Sequence, residues 1–325
     1  MAVPSAHELD SILPEHLRTL PSPQTDLPRI AKDPKLIHQI EAIVKEIQTS
    51  HSLYLSDARS MDFLEANSIH LVLTSPPYWT LKEYPQTSGQ LGNVAMYDEF
   101  LNFLDLVWRH CYRALVPGGR LICVVGDVCL SRRKNAGRHT VVPLHASIQE
   151  SCRRLGFDNL APIIWNKIAN ASYEVQNGTG FLGKPYEPNA VIKNDIEFIL
   201  MERKPGGYRK PSVSSRVLSV ISEENHRKWS QQIWTGLIGA STRSHPAPYP
   251  MELAERLIRM FSFVGDTVLD PFMGTGTTNV AASAWGRNSI GVEIEPLFFE
   301  MASKRLHRAT SSLFSRAEIQ VIKPG

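Results

Sequence analysis

Segments with the apolar pattern of a strand alternate with amphipathic segments over two long parts of this chain. After residue 51, "SLYLSDA" and "IHLVLTSPPY" are typical of strands, and "YDEFLNFLDLVWRHCYRAL" has the spacing of an amphipathic helix. After residue 251, the helical segment "MELAERLIRMF" is followed by the short strand "DTVLD". This alternation predicts an α/β fold with a mostly parallel sheet that helices cover on both faces.

Changes in this pattern divide the chain into four parts. Residues 1–50 are rich in proline and contain one predicted helix, "LIHQIEAIVKEIQ", so we expect an N-terminal extension. Residues 51–165 form the first half of the α/β domain, and residues 242–325 form the second half. Residues 166–241 lose the alternation and carry only a short strand, which is typical of an inserted recognition region.

Composition excludes several classes of protein. The net charge of +3 does not by itself indicate a polyanionic partner, so any basic surface must be local. The sequence contains no stretch of about 18 apolar residues and therefore predicts no membrane span, and the N-terminus lacks a signal-peptide pattern. The four cysteines form no C-x-x-C pair and show no metal-ligand spacing. We therefore expect a cytoplasmic protein with free thiols and no metal site.

The stretch "VLDPFMGTGTTNVAASAWGRNSIGVEIEP" predicts a binding site at the end of a strand. Asp270 ends the strand, Gly274 and Gly276 allow a tight turn and close approach to a ligand, and a helix begins near Thr277. The start of a helix offers unpaired N–H groups to a carboxylate or phosphate. Glu293 ends the next strand, where an acid can accept both hydroxyls of a ribose.

The pattern around this glycine turn favours S-adenosyl-L-methionine over other adenosine cofactors. The turn lacks the third glycine of the dinucleotide fingerprint and the G-K-[ST] of a phosphate-binding loop. S-adenosyl-L-methionine has a ribose for Glu293 and no pyrophosphate that requires a longer glycine run. Glu295 is the alternative ribose acceptor if the strand ends later.

The stretch "LTSPPYW" predicts a second site at the end of another strand. Pro76 and Pro77 make the strand exit stiff and extended, and their missing N–H groups leave the carbonyls of Ser75 and Pro76 free to accept hydrogen bonds. Two such acceptors suit the N–H groups of an exocyclic amine on a nucleobase. We expect Tyr78 and Trp79 to be exposed there, with Tyr78 stacking on a base that has left the duplex, a contact worth about 1–3 kcal/mol. The alternative is a turn whose aromatic residues cap the core.

These stretches together resemble the motifs of the amino-group DNA methyltransferases, which use S-adenosyl-L-methionine. "TSPPY" is similar to the catalytic motif of the N4-cytosine enzymes, whereas adenine-N6 enzymes more often carry Asp or Asn at the position of Ser75. "DPFMGTGTT" resembles their cofactor loop, and "SHPAPYP" resembles the segment before it. "YLSDARSMDFL" resembles the lead-in to the catalytic strand, with Asp57 as its acid. The catalytic motif precedes the cofactor loop, as in the circularly permuted beta group of the family.

This resemblance implies a Rossmann-like fold with a seven-stranded, mostly parallel sheet, one antiparallel hairpin and an inserted recognition region. The strands that end at Thr74 and Asp270 are then neighbours, so that both loops open into one crevice. Residues 51–165 are the catalytic half, 166–241 the target-recognition region, and 242–325 the cofactor-binding half.

The resemblance also implies roles for individual residues. Ser75 and the Pro76 carbonyl hold the target amine, Pro77 keeps the corner rigid, and Tyr78 stacks on the base. The residues implied to bind the cofactor are Asp57, Thr74, Asp270, Pro271, Phe272, Gly274, Gly276, Thr277, Thr278 and Glu293. Among them, Thr277 or Thr278 is expected to meet the methionine carboxylate. The implied reaction is direct in-line transfer of the methyl group, without a covalent intermediate.

The predicted partner is double-stranded DNA. The basic stretch "SRRKNAGRH" offers Arg132, Arg133 and Lys134 as phosphate contacts, "ERKPGGYRK" offers Arg209, and Trp79 lies beside the catalytic corner. Contacts to bases are expected from the recognition region. The sequence leaves open whether a cognate restriction endonuclease accompanies the protein, and whether it acts as a monomer or a homodimer.

Three other functions stay open at the level of sequence. Adenine-N6 methylation uses the same fold, and serine in place of aspartate is a tendency of the cytosine enzymes and not a rule. An RNA or protein amine methyltransferase is more distant, because no appended RNA-binding segment is evident. A DNA-binding relic without activity would not be expected to retain both "TSPPY" and "GTG".

Overall fold

A computed structural model of the chain describes residues 6–79, 84–167, 194–239, 249–311 and 317–323. The strands in these residues are β1 Thr49–Leu55, β2 Ile69–Thr74, β3 Leu115–Val125, β4 Val128–Leu130, β5 Thr140–Val142, β6 Asp158–Asn166, β7 Ile196–Arg203, β8 Ile233–Trp234, β9 Thr267–Asp270, β10 Asn288–Glu293 and β11 Ala317–Ile322. The α-helices are Ala6–Ile12, Glu15–Arg18, Pro23–Ala31, Pro34–Val44, Tyr97–Ala114, Leu144–Leu155, Val213–Leu218, Glu223–Trp229, Met251–Phe261, Thr277–Ala284 and Pro296–Thr310.

Strands of the main sheet follow the order β11-β1-β10-β9-β2-β3-β7-β6-β8, and β4 and β5 form a separate small hairpin. All pairs in the main sheet are parallel except those of β7, which runs antiparallel to both β3 and β6. The mostly parallel sheet with one antiparallel hairpin is therefore confirmed. The sheet has nine strands in the described residues, where seven were expected. The two additional strands, β11 and β8, lie at its edges.

The two long α/β parts of the chain interleave in this sheet. Strands β9 and β10, from the second part, lie between β1 and β2, from the first. Leu71 and Val72 of β2 pair with Val268 and Leu269 of β9, so the carboxyl ends of these two strands lie at the same level. The expectation that the strands leading to the proline corner and to the glycine turn are neighbours is confirmed.

Helices cover both faces of the sheet, and each face carries a buried core. Tyr97–Ala114 and Leu144–Leu155 pack on one face, and Met251–Phe261 and Thr277–Ala284 pack on the other. The first of these helices buries apolar residues three or four positions apart, including Trp108, as its sequence period predicts. Each large apolar side chain buried in this way contributes about 1.5–3 kcal/mol.

The N-terminal extension contains four helices within residues 6–44, where one was expected. Two of its prolines, Pro23 and Pro34, stand at the first position of a helix, where the missing N–H group needs no partner. The helices bury Leu17 and Ile40 in a core cluster that also contains Val217 and Val264, so the extension packs against the α/β domain.

Part of the predicted recognition region belongs to the main sheet. Strand β7 lies between β3 and β6 and completes the antiparallel hairpin. Residues 168–193 of that region and residues 240–248, which include most of "SHPAPYP", lie outside the described residues. Their role in target recognition stays a prediction. Among the described residues, no helix has the length and apolar character needed to cross a membrane.

Candidate active site

A cavity opens at the carboxyl edge of the sheet, where the ends of β1, β2, β9 and β10 meet. Its lining residues are Ser56, Asp57, Ala58, Ser75, Pro77, Tyr84, Gly89, Gln90, Leu91, Pro271, Phe272, Val292, Glu293, Ile294 and Phe298. The cavity thus brings together Ser75 and Pro77 of the proline corner with Pro271, Phe272 and Glu293 of the cofactor half.

A buried carboxylate joins the two halves beneath this cavity. The Asp270 side chain accepts hydrogen bonds from Thr74 Oγ1 at 2.7 Å, Phe272 N at 3.1 Å and Thr278 Oγ1 at 2.5 Å. Only 1% of Asp270 is exposed, and this burial raises its pKa although the hydrogen bonds oppose the shift. Asp270 does not line the cavity, so we interpret it as the residue that fixes both loops. Tyr249, which sequence reasoning missed, also donates to it at 3.3 Å.

Glu293 ends β10 and presents its carboxylate to the cavity. Its Oε2 accepts from Gly274 N at 2.8 Å, and its Oε1 accepts from Glu295 N at 2.8 Å. Burial raises the pKa of Glu293 to about 7, although these backbone hydrogen bonds oppose the shift. Each carboxylate oxygen retains capacity for another donor, so the side chain can accept both hydroxyls of a ribose.

The glycine turn requires its glycines for conformation and for space. Gly274 and Gly276 have φ angles of 53° and 78°, in the left-handed region that side chains disfavour. Gly291, in the middle of β10, was missed, although a glycine inside a strand signals close approach of another group. A Cβ at Gly291 would lie 2.2 Å from Met273 Sδ, so this glycine lets the turn rest against β10.

The two threonines after the turn do not reach the cavity. Thr278 is fully buried, and its hydroxyl donates to Asp270. The hydroxyl of Thr277 accepts a hydrogen bond from Arg305 Nη1 at 2.9 Å. Both side chains have protein partners, and their contact with a methionine carboxylate stays a prediction.

Asp57 lines the cavity at the start of the loop after β1. Its carboxylate is held by Arg59, whose Nε and Nη2 donate to Oδ2 at 2.9 and 2.5 Å. The Arg59 guanidinium also lies 4.6 Å above the Phe103 ring. Asp57 is thus fixed at the rim, while its contact with an adenine stays a prediction.

Residues 84–93 form one wall of the cavity, which sequence reasoning missed. The Thr87 hydroxyl donates to the Glu295 carboxylate, and a Cβ on Gly89 would lie 2.8 Å from Arg59 Nη2. Glu295 also accepts from the backbone N–H of Leu297 at the start of the next helix. This side chain therefore holds the wall and caps a helix, and of the two glutamates it is Glu293 that lines the cavity.

The aromatic residues of the proline corner point into the protein. Tyr78 is only 5% exposed, so our expectation of an exposed ring is wrong. Its hydroxyl lies 3.2 Å from Ser75 Oγ and donates to the Val124 carbonyl at 3.4 Å. Trp79 is half-buried and has a φ of 45°, a conformation that costs about 1–3 kcal/mol and that clusters at functional sites. Its ring meets the edge of Tyr97 at 5.0 Å.

The predicted DNA contacts separate into two places. Arg132 and Arg133 are exposed on a turn between β4 and β5, just beyond the carboxyl end of β3, and the side chain of Lys134 lies outside the described part. Arg209 instead binds Asp266, with nitrogen–oxygen distances of 2.5 and 2.6 Å. Since Asp266 precedes β9, Arg209 lies at the amino edge of the sheet, where it lines a second cavity. The structure does not bring Arg209 to the candidate site.

Comparisons with known proteins agree with this geometry. The sequence pattern of a family described as DNA methylases matches residues 69–304. The chain is 38% identical over 279 residues to the Type II methyltransferase M.MjaI of Methanocaldococcus jannaschii, a match that covers 77% of this chain and 89% of that protein. Among solved structures, it resembles TTHA0409, a putative DNA modification methylase from Thermus thermophilus in complex with S-adenosyl-L-methionine. The identity is 48%, the TM-score is 0.69, and the match covers 85% of this chain and 99% of that one.

A more distant solved structure is that of the cytosine-N4-specific PvuII DNA methyltransferase. It matches with 17% identity and a TM-score of 0.56, over 84% of this chain and 96% of that one. At this identity the likeness shows a common fold alone.

Proposed function

We propose, for a chain that belongs to the N6/N4 DNA methylase family, methyl transfer from S-adenosyl-L-methionine to the N4 amine of a cytosine in double-stranded DNA. The members of this family are DNA methyltransferases that use S-adenosyl-L-methionine. One observation carries the proposal: Ser75, at the start of the proline corner, lines the same cavity as Glu293, at the end of β10. Serine at this position favours cytosine N4 over adenine N6.

The cavity fits the cofactor. Glu293 offers its carboxylate to the ribose hydroxyls, and Asp57, Phe272, Ile294 and Phe298 supply an acid and apolar walls. The glycine turn keeps side chains out of the space beside Glu293. When bound, S-adenosyl-L-methionine supplies a methyl group that its sulfonium already activates, so that this chain's residues have to position the amine and exclude water.

The proline corner is built to hold an amine. Proline has no N–H group, so the carbonyls of Ser75 and Pro76 have no competing donor within the corner. With Ser75 Oγ they offer acceptors for the two N–H groups of the amine, and two such hydrogen bonds orient the nitrogen lone pair. The Tyr78 hydroxyl, 3.2 Å from Ser75 Oγ, keeps that side chain in place. No covalent intermediate is required.

A base can reach this corner only when it has left the duplex, because Ser75 lies in a concave site below the edge of the sheet. Arg132 and Arg133, exposed beyond the carboxyl end of β3, contact DNA phosphates and make binding salt-dependent. The parts of 166–241 outside β7 supply the contacts that select the DNA sequence.

The proposal is tested with purified protein, labelled S-adenosyl-L-methionine and long DNA amplified in vitro, which carries no modified bases. We expect labelled DNA, and we expect nucleoside mass spectrometry to identify the product as N4-methylcytosine. Ser75→Ala, in the same assay, should lose most of the transfer. If the product is N6-methyladenine, the choice of cytosine is wrong while the reaction class stands. Cofactor binding without transfer to any DNA would overturn the assignment as an enzyme.

A further inference from the structure

A buried ion pair lies beside the proline corner and has no part in the reaction as described so far. Because β7 runs antiparallel to β3, its first residues lie at the carboxyl edge of the sheet, next to the corner. Glu197, the second residue of β7, is only 7% exposed. Its Oε1 accepts a hydrogen bond from Lys167 Nζ, just after β6. A buried carboxylate costs several kcal/mol unless it is paired, so the two residues act as one unit.

Glu197 and Tyr78 both lie close to the same glycine. A Cβ added to Gly126, just after β3, would lie 3.4 Å from both Glu197 Cγ and Tyr78 Cε2. The missing side chain at Gly126 therefore leaves room for both residues to lie close to the backbone there. The negative charge of Glu197 also helps burial to raise the pKa of Tyr78. Since Tyr78 contacts Ser75, the pair of Lys167 and Glu197 lies beside the pair of Tyr78 and Ser75 at the proline corner.

Lys167 is held on three sides and remains reachable. Its Nζ lies 5.5 Å from the centre of the Trp165 ring, and a Cβ on Gly239 would lie 3.2 Å from its Cε. The third side is the Glu197 carboxylate. About a third of the Lys167 side chain stays exposed, 32% against 9% for Glu197. An ammonium group has three donors, so within the described ranges two remain after the hydrogen bond to Glu197.

We propose that Lys167, positioned by Glu197, recognises the ring edge of the target cytosine while Ser75 holds its amine. Next to the amine, cytosine presents two acceptors, N3 and O2, which suit the free donors of an ammonium group. Adenine presents N1 and then a C–H group, which offers nothing to the second donor. Lys167 therefore favours cytosine over adenine, and Glu197 is a positioning residue that acts through it. This inference rests on the proposed function.

The test uses the wild-type protein, Lys167→Met and Glu197→Gln, with a duplex around one cytosine that the wild-type protein methylates and the same duplex with adenine at that position. Methionine keeps the length of the lysine stem and removes its donors. We expect Lys167→Met to lower kcat/KM on cytosine about 10- to 100-fold, the loss usual for a hydrogen bond to a charged group, and to leave the rate on adenine unchanged. Glu197→Gln should lower kcat/KM on cytosine less than Lys167→Met does. The kcat/KM of the double variant should be no lower than that of Lys167→Met.

The matched control is the pair of Lys323 and Glu300, in which the ammonium also binds a carboxylate and lies 5.9 Å from an aromatic ring, that of Phe299. Lys323→Met should change neither rate. Calorimetry with S-adenosyl-L-methionine verifies that each variant is folded, and Lys167→Gln replaces Lys167→Met if the latter does not fold.

Two outcomes overturn the inference and are distinguishable. In the first, the wild-type product is N4-methylcytosine, but Lys167→Met loses as much kcat/KM on adenine as on cytosine, or loses none. This outcome overturns the role of Lys167 alone. N6-methyladenine as the wild-type product overturns the proposed function together with this inference.

Discussion

The glycine turn and the proline corner meet at one cavity, but they are held in different ways. Around the turn, Phe272 N donates to Asp270, Gly274 N to Glu293 and Met273 N to the Val292 carbonyl. The corner depends on its two prolines and on packing of the Tyr78 ring, whose contacts with Ser75 and Val124 are long, at 3.2 and 3.4 Å.

This difference corresponds to what each loop has to bind. A cofactor site gains affinity when its groups are fixed in advance, since less ordering is required on binding. A loop that accepts an amine must instead keep its acceptors free, and a corner made of prolines is rigid without using any. The four substitutions below test this division, from the largest expected effect to the smallest.

Gly274→Val should abolish measurable binding of S-adenosyl-L-methionine, with a loss of affinity of about 100-fold or more. Gly274 has a φ of 53°, where a β-branched residue costs about 1–3 kcal/mol, and any shift removes its hydrogen bond to Glu293. Titration calorimetry measures the loss. The control is Gly236→Val, which has a similar φ of 77° with open space around it and should bind normally. Near-normal affinity of Gly274→Val would falsify the assignment of the turn.

Ser75→Ala should give the opposite pattern. We expect turnover to fall about 100-fold, the order lost when one positioned hydrogen-bonding group leaves an active site, because the amine loses an acceptor. Cofactor affinity should stay within about twofold, since the contacts of the glycine turn are unchanged. Single-turnover kinetics and calorimetry separate the two effects. Ser68→Ala, an exposed serine that bonds within its own turn, is the control. A larger effect on affinity than on turnover would reverse the roles of the two loops.

Glu293 should make cofactor affinity depend on pH, whereas the corner should not. Ribose hydroxyls donate to the ionised carboxylate, and the pKa of Glu293 in the free protein is about 7. Affinity should therefore rise about tenfold between pH 6 and pH 8 and then level off. Glu293→Gln should bind more weakly at pH 8 and lose this slope, while Ser75→Ala should keep it.

The Glu293 carboxyl group should also make the free energy of unfolding depend on pH, but with the opposite sign. The folded-state pKa of Glu293 is raised above its unfolded value of about 4.3. Its contribution to the free energy of unfolding is therefore fully present below about pH 4 and is lost as the pH rises through 7. Urea unfolding of the wild type and of Glu293→Gln across this range checks the sign.

An affinity that falls with pH would contradict contact of the ribose with the ionised carboxylate.

Thr74→Val should have the smallest effect and should touch both loops. It removes the 2.7 Å hydrogen bond from Thr74 to Asp270 that joins the two strand ends. We expect a loss of about 1–2 kcal/mol in the free energy of unfolding, with changes of less than about fivefold in affinity and in turnover. Urea unfolding measures the first effect. The control is Thr140→Val on β5, whose hydroxyl accepts only from Asn135. A loss confined either to cofactor affinity or to turnover would mean that Asp270 does not link the loops.

The sequence was most informative where one residue type has a special backbone property. Glycines and prolines at strand ends predicted both loops, and the parallel pattern predicted that the loops meet. Side-chain directions could not be predicted. Thr277 and Thr278 follow the turn as expected, but their hydroxyls face Arg305 and Asp270. Similarly, Tyr78 stands at the strand exit and turns inward, because the core has room for its ring.

Contacts between distant, irregular segments were also beyond prediction. Residues 84–93 have no strand or helix period, and their place in the cavity depends on Glu295, about 200 positions later. Arg209 was predicted as a cation near DNA, but β7 runs antiparallel and therefore delivers the residues after it to the amino edge. For both, the deciding information is the sheet order and not the local sequence.

The interleaved strand order has a consequence for how the protein is made. Strands β1 and β2 leave the ribosome early, while β9 and β10, which separate them in the sheet, follow about 200 residues later. At about 5–20 residues per second, the nascent chain waits roughly 10–40 s with open strand edges on both. Translation that stops before residue 267 leaves no cavity, so the last fifth of the message decides whether the methylase becomes active at all.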